Sequence, residues 1–449
     1  MKQRMSSALS GLASVMVLGP VLAIPSGAQE TVRLTLEDAI HRALLANVNV
    51  LEARTRVEED HGTGMRSQAA LLPRVTAQTY ANFQNRDLRA FGISVPGLPL
   101  PNVVGPFSNF DFRIYAQQNV VDLAAYRNWK ASQLAVGADK LSEQDARDAI
   151  VRIAASLYLN AQSAEARSQA AQSRVTDSTA LLKLAQDRHD AGMATGVDVL
   201  RARVQLANDR QTLLEAENLY KQSLLELARN LGMSPATQIE LAEPLRYQSL
   251  QAPEAPALVD DALGTRADYQ ALSVQRAAIV EQQHANRARY YPKVRVNGNV
   301  GELGRSIGGV DTIGLIQGQI DFTVFDRDRE GEAQQLAARL RRVDDQVDDL
   351  RRGVDEDIRA ALLNLESTEQ QVQVAAEGQE LAKRELAEAQ DRFQAGTANN
   401  VEVVTAQDEL ARAEENYILA VSNHVDAKYS LARAMGNTEK NIVKFAGNR

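Results

Sequence analysis

The chain has 449 residues, of which 44% are hydrophobic and 24% are charged, and its formal net charge is −8. This acidic balance provides no basic stripe for a nucleic-acid partner. Because the sequence contains no cysteine, it excludes disulfide bonds, thiolate metal ligands and lipid attachment through an N-terminal cysteine.

Residues 1–28 predict a signal peptide. Lys2 and Arg4 give a basic start, residues 13–24 form an apolar stretch, and residues 26–28 supply the small side chains of a cleavage site. The apolar stretch is short for a permanent transmembrane helix. We therefore expect an exported protein whose mature chain begins at residue 29.

After a predicted helix that ends before Pro73, the spacing of apolar residues changes from helical to alternating. Segments 74–86 and 109–121 place apolar residues at every second position, with polar residues between them. This pattern predicts two strands, each with one apolar and one polar face. The segment from Phe91 to Phe110 contains four prolines, and we interpret it as an extended outer loop.

The second half of the chain repeats the alternation in segments 293–302 and 312–325. Four strands of roughly 10 residues have the length that crosses a bilayer. Aromatic residues form the interfacial girdles of outer-membrane barrels. Seven phenylalanines lie in or beside these strands: Phe83, Phe91, Phe107, Phe110, Phe112, Phe322 and Phe325. The alternative is an ordinary antiparallel sheet whose apolar face packs on a helix.

A long region without proline, rich in good helix formers, follows each strand pair. In the second copy the apolar residues step by threes and fours, as in a coiled-coil seam. A helix from about Asp326 to Phe393 would be about 100 Å long. We expect it to turn near residues 395–399 and to return, and the first copy to turn near residues 192–196. Each copy is therefore a predicted antiparallel helical hairpin.

The two halves share one register. Residues 185–188 and 389–392 both have the sequence Ala-Gln-Asp-Arg, and a glycine follows each at the same distance. A register kept over more than a hundred residues indicates one large repeated unit. We therefore divide the mature chain into a first repeat, residues 29–250, and a second repeat, residues 251–449.

Four membrane-spanning strands cannot pair their own outer edges in lipid, where each unpaired backbone group costs several kcal/mol. Other copies of the chain must then complete a barrel. Two copies would give eight strands and a filled interior, whereas three would give twelve strands and a lumen. Charged residues on the predicted inner face favour the water-filled lumen: Asp111, Arg113, Arg295 and Asp321.

With these features the chain resembles the TolC family of outer membrane efflux proteins over essentially all of its mature length. The resemblance rests on the duplicated strand pair plus hairpin and on the tip motifs at residues 187–199 and 391–403. It implies a fold that is mostly α with a transmembrane β part. The expected assembly is a homotrimer with a 12-stranded β-barrel in the outer membrane and a periplasmic α-helical barrel.

The resemblance also implies a function. The chain would be the passive exit duct of a tripartite efflux or type I secretion system. A periplasmic adaptor protein would open it, and an inner-membrane pump would power transport. The sequence leaves the cargo open among drugs, metal ions and proteins.

By resemblance, the periplasmic aperture lies at the hairpin tips. Glu402 matches an acidic position that constricts the aperture in the family, and Asp198 is its equivalent in the first repeat. Both residues also suit the first turn of a helix, where an acidic side chain stabilises the helix dipole by about 0.3–1 kcal/mol. Arg188 and Arg392 match the tip arginines of the family. A salt bridge with a carboxylate one turn away explains them equally well.

Three positions near the second tip depart from the family pattern. Phe393 supplies an aromatic ring without a hydroxyl, and Ala398 stands where relatives place the arginine of a closed-state latch. Thr405 replaces a second acidic residue. The resemblance further assigns adaptor docking to the exposed turns, which contain Gly192, Met193, Gly396 and Thr397. The two glycines also suit the ends of helices.

The sequence contains no nucleophile elbow, phosphate-binding glycine loop or histidines at metal-ligand spacing. We therefore expect no enzymatic activity, no cofactor and no metal site. The alternative function is a periplasmic coiled-coil adaptor or scaffold that does not enter the membrane. Such an adaptor should carry a lipoyl-like β domain between its hairpin arms, and the sequence has no segment of that kind.

Overall fold

A computed structural model describes residues 31–92, 101–306 and 308–445. The predicted signal peptide and residues 93–100 of the proline-rich segment lie outside the described residues. The first half contains β1 (Thr31–Leu34), α1 (Leu36–Ala46), α2 (Val48–Ala69), β2 (Arg74–Asp87), β3 (Val103–Val121), α3 (Leu123–Asp190) and α4 (Gly196–Asn230). The second half contains β4 (Gln238–Leu241), α5 (Ala255–Thr265), α6 (Ala267–Ala288), β5 (Lys293–Ser306), β6 (Gly309–Asp321), α7 (Arg327–Gln394), α8 (Asn400–Ala434) and α9 (Thr438–Phe445).

The helices of the two halves have matching lengths. α1 and α5 have 11 residues each, α2 and α6 have 22, α3 and α7 have 68, and α4 and α8 have 35. Both long helices start at an aspartate cap: Asp122 Oδ1 accepts from the Ala125 N–H at 2.9 Å, and Asp326 Oδ1 accepts from the Asp328 N–H at 3.1 Å. At 1.5 Å per residue, α3 and α7 are each about 100 Å long.

The strands form one four-stranded antiparallel sheet in the order β2-β3-β5-β6. β3 and β5 pair at its centre, so the sheet joins the two halves. Within the described residues, β2 and β6 each pair with a strand on one side only. The sheet therefore presents two open edges.

β3 and β5 are longer than the expected segments 109–121 and 293–302. β3 starts at Val103 because its pairing with β2 continues to the Asp87–Val103 pair. The interpretation of the whole segment from Phe91 to Phe110 as a loop is thus wrong for its last eight residues. The alternation of side chains is interrupted there by Gly105 and Pro106, whereas the backbone ladder resumes beyond them.

β6 ends at Asp321, four residues before the end of the expected segment 312–325. The alternation continues to Val324, but the last paired residue is Asp321, which lies opposite Lys293 at the start of β5. Beyond that pair β5 supplies no further backbone partner. Val324 and Phe325 are consequently outside the strand and exposed.

The two faces of the sheet differ in chemistry. One face carries exposed apolar side chains: Val75, Phe83, Phe112, Ile114, Val296, Val300, Ile316 and Ile320. On the other face Asp111 accepts a hydrogen bond from the Tyr80 hydroxyl at 2.8 Å and forms a salt bridge with Arg113 at 2.6 Å. The expected segregation of apolar and polar residues is therefore present.

A second, smaller sheet was not predicted. β1 and β4 pair in parallel over four residues each, and Leu34 lies in the largest cluster of buried side chains. Tyr158 of α3 reaches the same cluster and donates its hydroxyl to the carbonyl oxygen of Leu34 at 3.1 Å. Across the described residues, no helix combines the length and apolarity of a membrane span.

Candidate functional site: the hairpin tips

Both hairpins reverse through the same backbone turn. Gly192 and Gly396 have φ angles of +74° and +77°, a region that favours glycine. The N–H of Met193 bonds to the carbonyl of Arg188 at 2.8 Å, and the N–H of Thr397 bonds to that of Arg392 at 3.0 Å. These are Schellman-type helix ends. The glycines thus have a structural role at positions that are also exposed.

Asp198 lies within its own helix start. Its Oδ2 accepts hydrogen bonds from the backbone N–H of Thr195 at 2.9 Å and from the Thr195 hydroxyl at 2.7 Å. The side chain is only 15% exposed. The hydroxyl of Thr195 lowers the pKa of Asp198. The backbone N–H of Thr195 and the charge of Arg201 lower this pKa further. Asp198 and Thr195 therefore form a capping box at the start of α4.

Glu402, the equivalent residue in the second repeat, has a different environment. Asn399 caps α8, with its Oδ1 accepting from the N–H of Val401 at 3.0 Å. The Glu402 side chain is 42% exposed and forms a salt bridge with Arg392 at 3.1 Å, across the turn of its own hairpin. The carboxylate of Glu402 thus lies closer to solvent than that of Asp198.

Arg188 does not repeat the contact of Arg392. It donates a hydrogen bond to the carbonyl oxygen of Phe393, and its guanidinium carbon lies 4.7 Å from the centre of the Phe393 ring. Phe393 itself is 3% exposed and packs in a cluster contributed by both hairpins: Leu181, Ala185, Ala202, Leu386, Ala389, Val403 and Ala406. In the single chain, Phe393 is therefore a core residue between the tips.

Residues that sequence reasoning missed also join the tips. Asn400 is fully buried and donates from Nδ2 to the carbonyl oxygen of Asp198 at 2.8 Å. Farther from the tips along α4 and α8, Gln205 Nε2 of the first hairpin donates to Asp408 Oδ1 of the second at 3.2 Å. In the sequence Asn400 indicates only a helix start. Its partner could be found only from the docking of the two hairpins.

The tips present hydrogen-bonding and charged groups. Within the ranges that the structure describes, no group of three or more His, Cys, Asp or Glu side chains is placed to hold a metal ion. The arrangement can present a charged surface and hold two hairpins together.

Two named outer membrane proteins are similar to this chain in sequence. Pyoverdine export outer membrane protein OpmQ of Pseudomonas aeruginosa is 25% identical over 59% of this chain and 55% of its own length. This chain thus spans about half of that relative. OpmQ of Pseudomonas putida is 23% identical over 89% of this chain and 85% of its own length.

The fold matches that of a solved outer membrane protein. The outer membrane protein VceC from Vibrio cholerae superimposes with a TM-score of 0.74 and 18% identity, over 89% of this chain and 96% of that one. The Outer membrane efflux protein family matches residues 39–233 and 258–437, one stretch in each half. The chain belongs to the family of outer membrane efflux proteins.

Proposed function

We propose that three copies of this chain form the exit duct of a tripartite export system in the outer membrane. The observation that carries the proposal is the four-stranded sheet, whose apolar face is exposed and whose edges, β2 and β6, are open within the described residues. Hydrocarbon is the solvent in which such a face is stable. Edges in hydrocarbon must be paired, because unsatisfied backbone groups there cost several kcal/mol.

The proposed number of copies rests on the need for a water-filled lumen. Three sheets of four strands give a 12-stranded β-barrel, which is wide enough for a water-filled interior. The cluster of Tyr80, Asp111 and Arg113 lies on the polar face of the sheet. In a closed barrel this face would line the lumen, while Ile316 and its neighbours would contact lipid.

The helices would extend the barrel into the periplasm. Twelve long helices from three chains would form an α-helical barrel about 100 Å long. The exposed turns at Gly192, Met193, Gly396 and Thr397 would be the docking points of a periplasmic adaptor, which in turn contacts an inner-membrane pump. Glu402, and to a smaller degree Asp198, would contribute negative charge at the periplasmic aperture and so favour cations.

The chain would conduct cargo without catalysing a reaction. Two relatives are named for pyoverdine export and others for antibiotic and toluene efflux. These names support the export of small molecules. Within this class the pump, rather than the duct, would select the cargo.

A pair of adjacent substitutions on β6 tests the membrane orientation. Ile316 is 86% exposed on the apolar face, and Gln317 lies next to it on the polar face. An arginine facing lipid near the bilayer centre costs about 2–4 kcal/mol. We expect Ile316→Arg to abolish assembly in the outer membrane and Gln317→Arg to be tolerated, as measured by trimer recovery from detergent-solubilised outer membranes.

The alternative of a periplasmic scaffold makes the opposite prediction. A scaffold would be released without detergent, and both variants would accumulate equally. Planar-bilayer recordings of the purified protein add a second test, because a duct gives stable conductance steps and a scaffold gives none. A monomer that needs no detergent would overturn the proposal.

A further inference from the structure

The equivalent helices α2 and α6 have different neighbours. α6 packs between α3 and α7, whereas α2 packs along α3 of its own hairpin. The two 22-residue helices can be aligned at their first residues. Three positions that are buried in α6 are then exposed in α2: Ala271, Ala278 and Ala285 correspond to Glu52, Glu59 and Arg66. Among the described elements, one side of α2 thus lacks a helix like the one that covers the same side of α6.

α7 differs from α3 in the complementary way. The side of α3 that contacts α6 carries buried alanines, whereas α7 exposes the equivalent positions. Aligning the two 68-residue helices at their first residues gives the correspondence: Ala124, Ala131 and Ala138 match Asp328, Gln335 and Arg342. α7 therefore presents an open side where α3 binds α6.

Contacts inside the chain define how α3 and α6 are aligned. Arg127 and Lys130 form salt bridges with Glu281 at 3.0 and 2.7 Å. Farther along α3, a Cβ added at Gly137 would lie 3.6 Å from Cγ1 of Val274. Residue numbers thus rise along α3 while they fall along α6, and the two helices are antiparallel. This alignment pairs the alanines of both helices: Ala124 with Ala285, Ala131 with Ala278 and Ala138 with Ala271.

The same alignment can be transferred to α7 of one copy and α2 of the next. It then pairs three sets of exposed polar residues: Asp328 with Arg66, Gln335 with Glu59 and Arg342 with Glu52. The two outer pairs join opposite charges, and the middle pair joins an amide to a carboxylate. Because the equivalent residues inside the chain are alanines, the repeated fold does not itself require these charges. The open sides of α2 and α7 are therefore complementary in charge.

The open edges of the sheet agree with this alignment. Inside the chain, β3 pairs with β5 so that Phe112 lies opposite Glu302. Transferred to β6 of one copy and β2 of the next, this pairing places Ile316 opposite Phe83. Both residues belong to the exposed apolar face. A shift by one residue would have placed apolar side chains opposite polar ones, so the two edges match in phase.

This pairing would also extend β6. Val121 of β3 lies opposite Val294 of β5. The equivalent pair between copies is Phe325 with Val75. The segment beyond Asp321 would thus gain the backbone partner that β5 of its own chain does not supply.

We propose that α2 of one copy packs against α7 of the next in this alignment, with ion pairs Arg66–Asp328 and Glu52–Arg342 between the copies. This contact rests on the proposed duct, in which copies meet in a ring. α2 precedes β2 and α7 follows β6, the two outer strands of the sheet, so these helices belong to opposite sides of one chain. A contact between two different surfaces of identical chains generates a ring when the rotation closes.

The charged pairs would select the arrangement of the copies. Asp328 approaches Arg289 of its own chain at 3.0 Å, but its side chain is 79% exposed and can accept a second partner. Exposed ion pairs contribute little stability individually. Like charges at these positions would repel, however, and the pairs recur at every boundary of the ring. They would therefore disfavour other alignments of α2 on α7.

Charge exchange tests the pairing. The measurement is the temperature at which the trimer of the full chain dissociates in detergent. Glu52→Arg and Arg342→Glu should each lower this temperature, because each places like charges opposite one another. Combining the two restores an ion pair and should recover most of the loss. The control is Glu58→Arg, which makes the same charge change on α2 at a position whose equivalent in α6, Ala277, is exposed.

A disulfide cross-link tests the alignment separately. Because the chain contains no cysteine, Glu59→Cys with Gln335→Cys introduces its only thiols. Disulfides form between residues whose Cα atoms lie within about 7 Å. We expect oxidation to give dimers and trimers that resist denaturant. Thr55→Cys with Gln335→Cys is the control, because it moves one thiol about 6 Å along α2 and should cross-link much less.

The outcomes separate this contact from the duct. A trimer that cross-links equally in both alignments, or a combined charge exchange that recovers nothing, would overturn the contact and leave the duct standing. If a single reversal prevents assembly altogether, recovery of the trimer in the combined variant supports the pairing. A parent chain that forms no trimer and gives no conductance would count against the duct itself.

Discussion

The guanidinium of Arg188, at the tip of the first hairpin, donates a hydrogen bond to the carbonyl oxygen of Phe393 in the second and lies 4.7 Å from the centre of its ring. The equivalent arginine, Arg392, pairs with Glu402 inside its own hairpin. Two residues at the same position of the repeat therefore differ in role. One connects the hairpins, and the other stays within a single tip.

Replacement of Arg188 should loosen the connection between the hairpins. Arg188→Ala removes a charged hydrogen bond and a cation–π contact, and we expect it to lower the free energy of unfolding by about 1–3 kcal/mol. In planar bilayers the variant should show more frequent open events. Arg384→Ala is the control, because the Arg384–Glu380 pair lies on an exposed helix face. Equal behaviour of the two variants would argue against a connecting role.

The equivalent acidic residues should respond differently to neutralisation. Glu402→Gln should weaken cation selectivity, because this carboxylate is the more exposed of the two. Asp198→Asn should cost about 1 kcal/mol of stability through the lost capping contacts and should change selectivity less. Reversal potentials in a salt gradient and thermal unfolding separate the two effects. Unchanged selectivity in Glu402→Gln would contradict its place at the aperture.

A matched pair of glycine substitutions tests the turn geometry. Gly396→Ala places an alanine at a positive backbone φ angle, and its Cβ would lie 3.3 Å from Arg188 Nη2. We expect this substitution to destabilise the tip by about 1 kcal/mol. Gly378 lies inside α7, where an added Cβ meets no atom within 4 Å. Gly378→Ala should therefore stabilise the chain by about 0.5–1 kcal/mol. Chemical denaturation of both variants measures the free energy of unfolding, which should fall in Gly396→Ala and rise in Gly378→Ala.

Stability should rise between about pH 8 and pH 10 because of Lys428. This side chain is 3% exposed, and burial lowers its pKa to about 8, although Glu369 opposes the shift. Below pH 8 the lysine is charged in both the folded and unfolded chains, so burial imposes its full cost. Between pH 8 and about 10.4 only the unfolded chain keeps the proton, and folding becomes more favourable as pH rises.

Lys428→Met should accordingly raise the free energy of unfolding at pH 7, by up to about 3 kcal/mol, and flatten this pH dependence. Lys440→Met, at an exposed position of α9, is the control and should keep the slope of the parent chain. Denaturation midpoints at pH 7 and pH 9.5 provide the comparison. A slope that persists in Lys428→Met would assign the effect to another group.

The sequence by itself determined the positions and types of the long elements, because these depend on neighbours within a few residues. Alternation marked the four strands, and the three-and-four spacing marked the seam of α7, whose residues Leu336, Val343, Val354 and Ile358 are buried. The shared register placed both turns at Gly192 and Gly396. The same patterns carried the resemblance that the match to the Outer membrane efflux protein family confirms.

Only the tertiary structure decided which distant groups meet. The pairing of β3 with β5 and that of β1 with β4 depend on backbone partners far along the chain. The extension of β3 to Val103 depends on its pairing with the end of β2. The same holds for the burial of Asn400 and for the contrast between Arg188 and Arg392. Local sequence is nearly the same around both arginines, and the docking of one hairpin on the other makes their environments different.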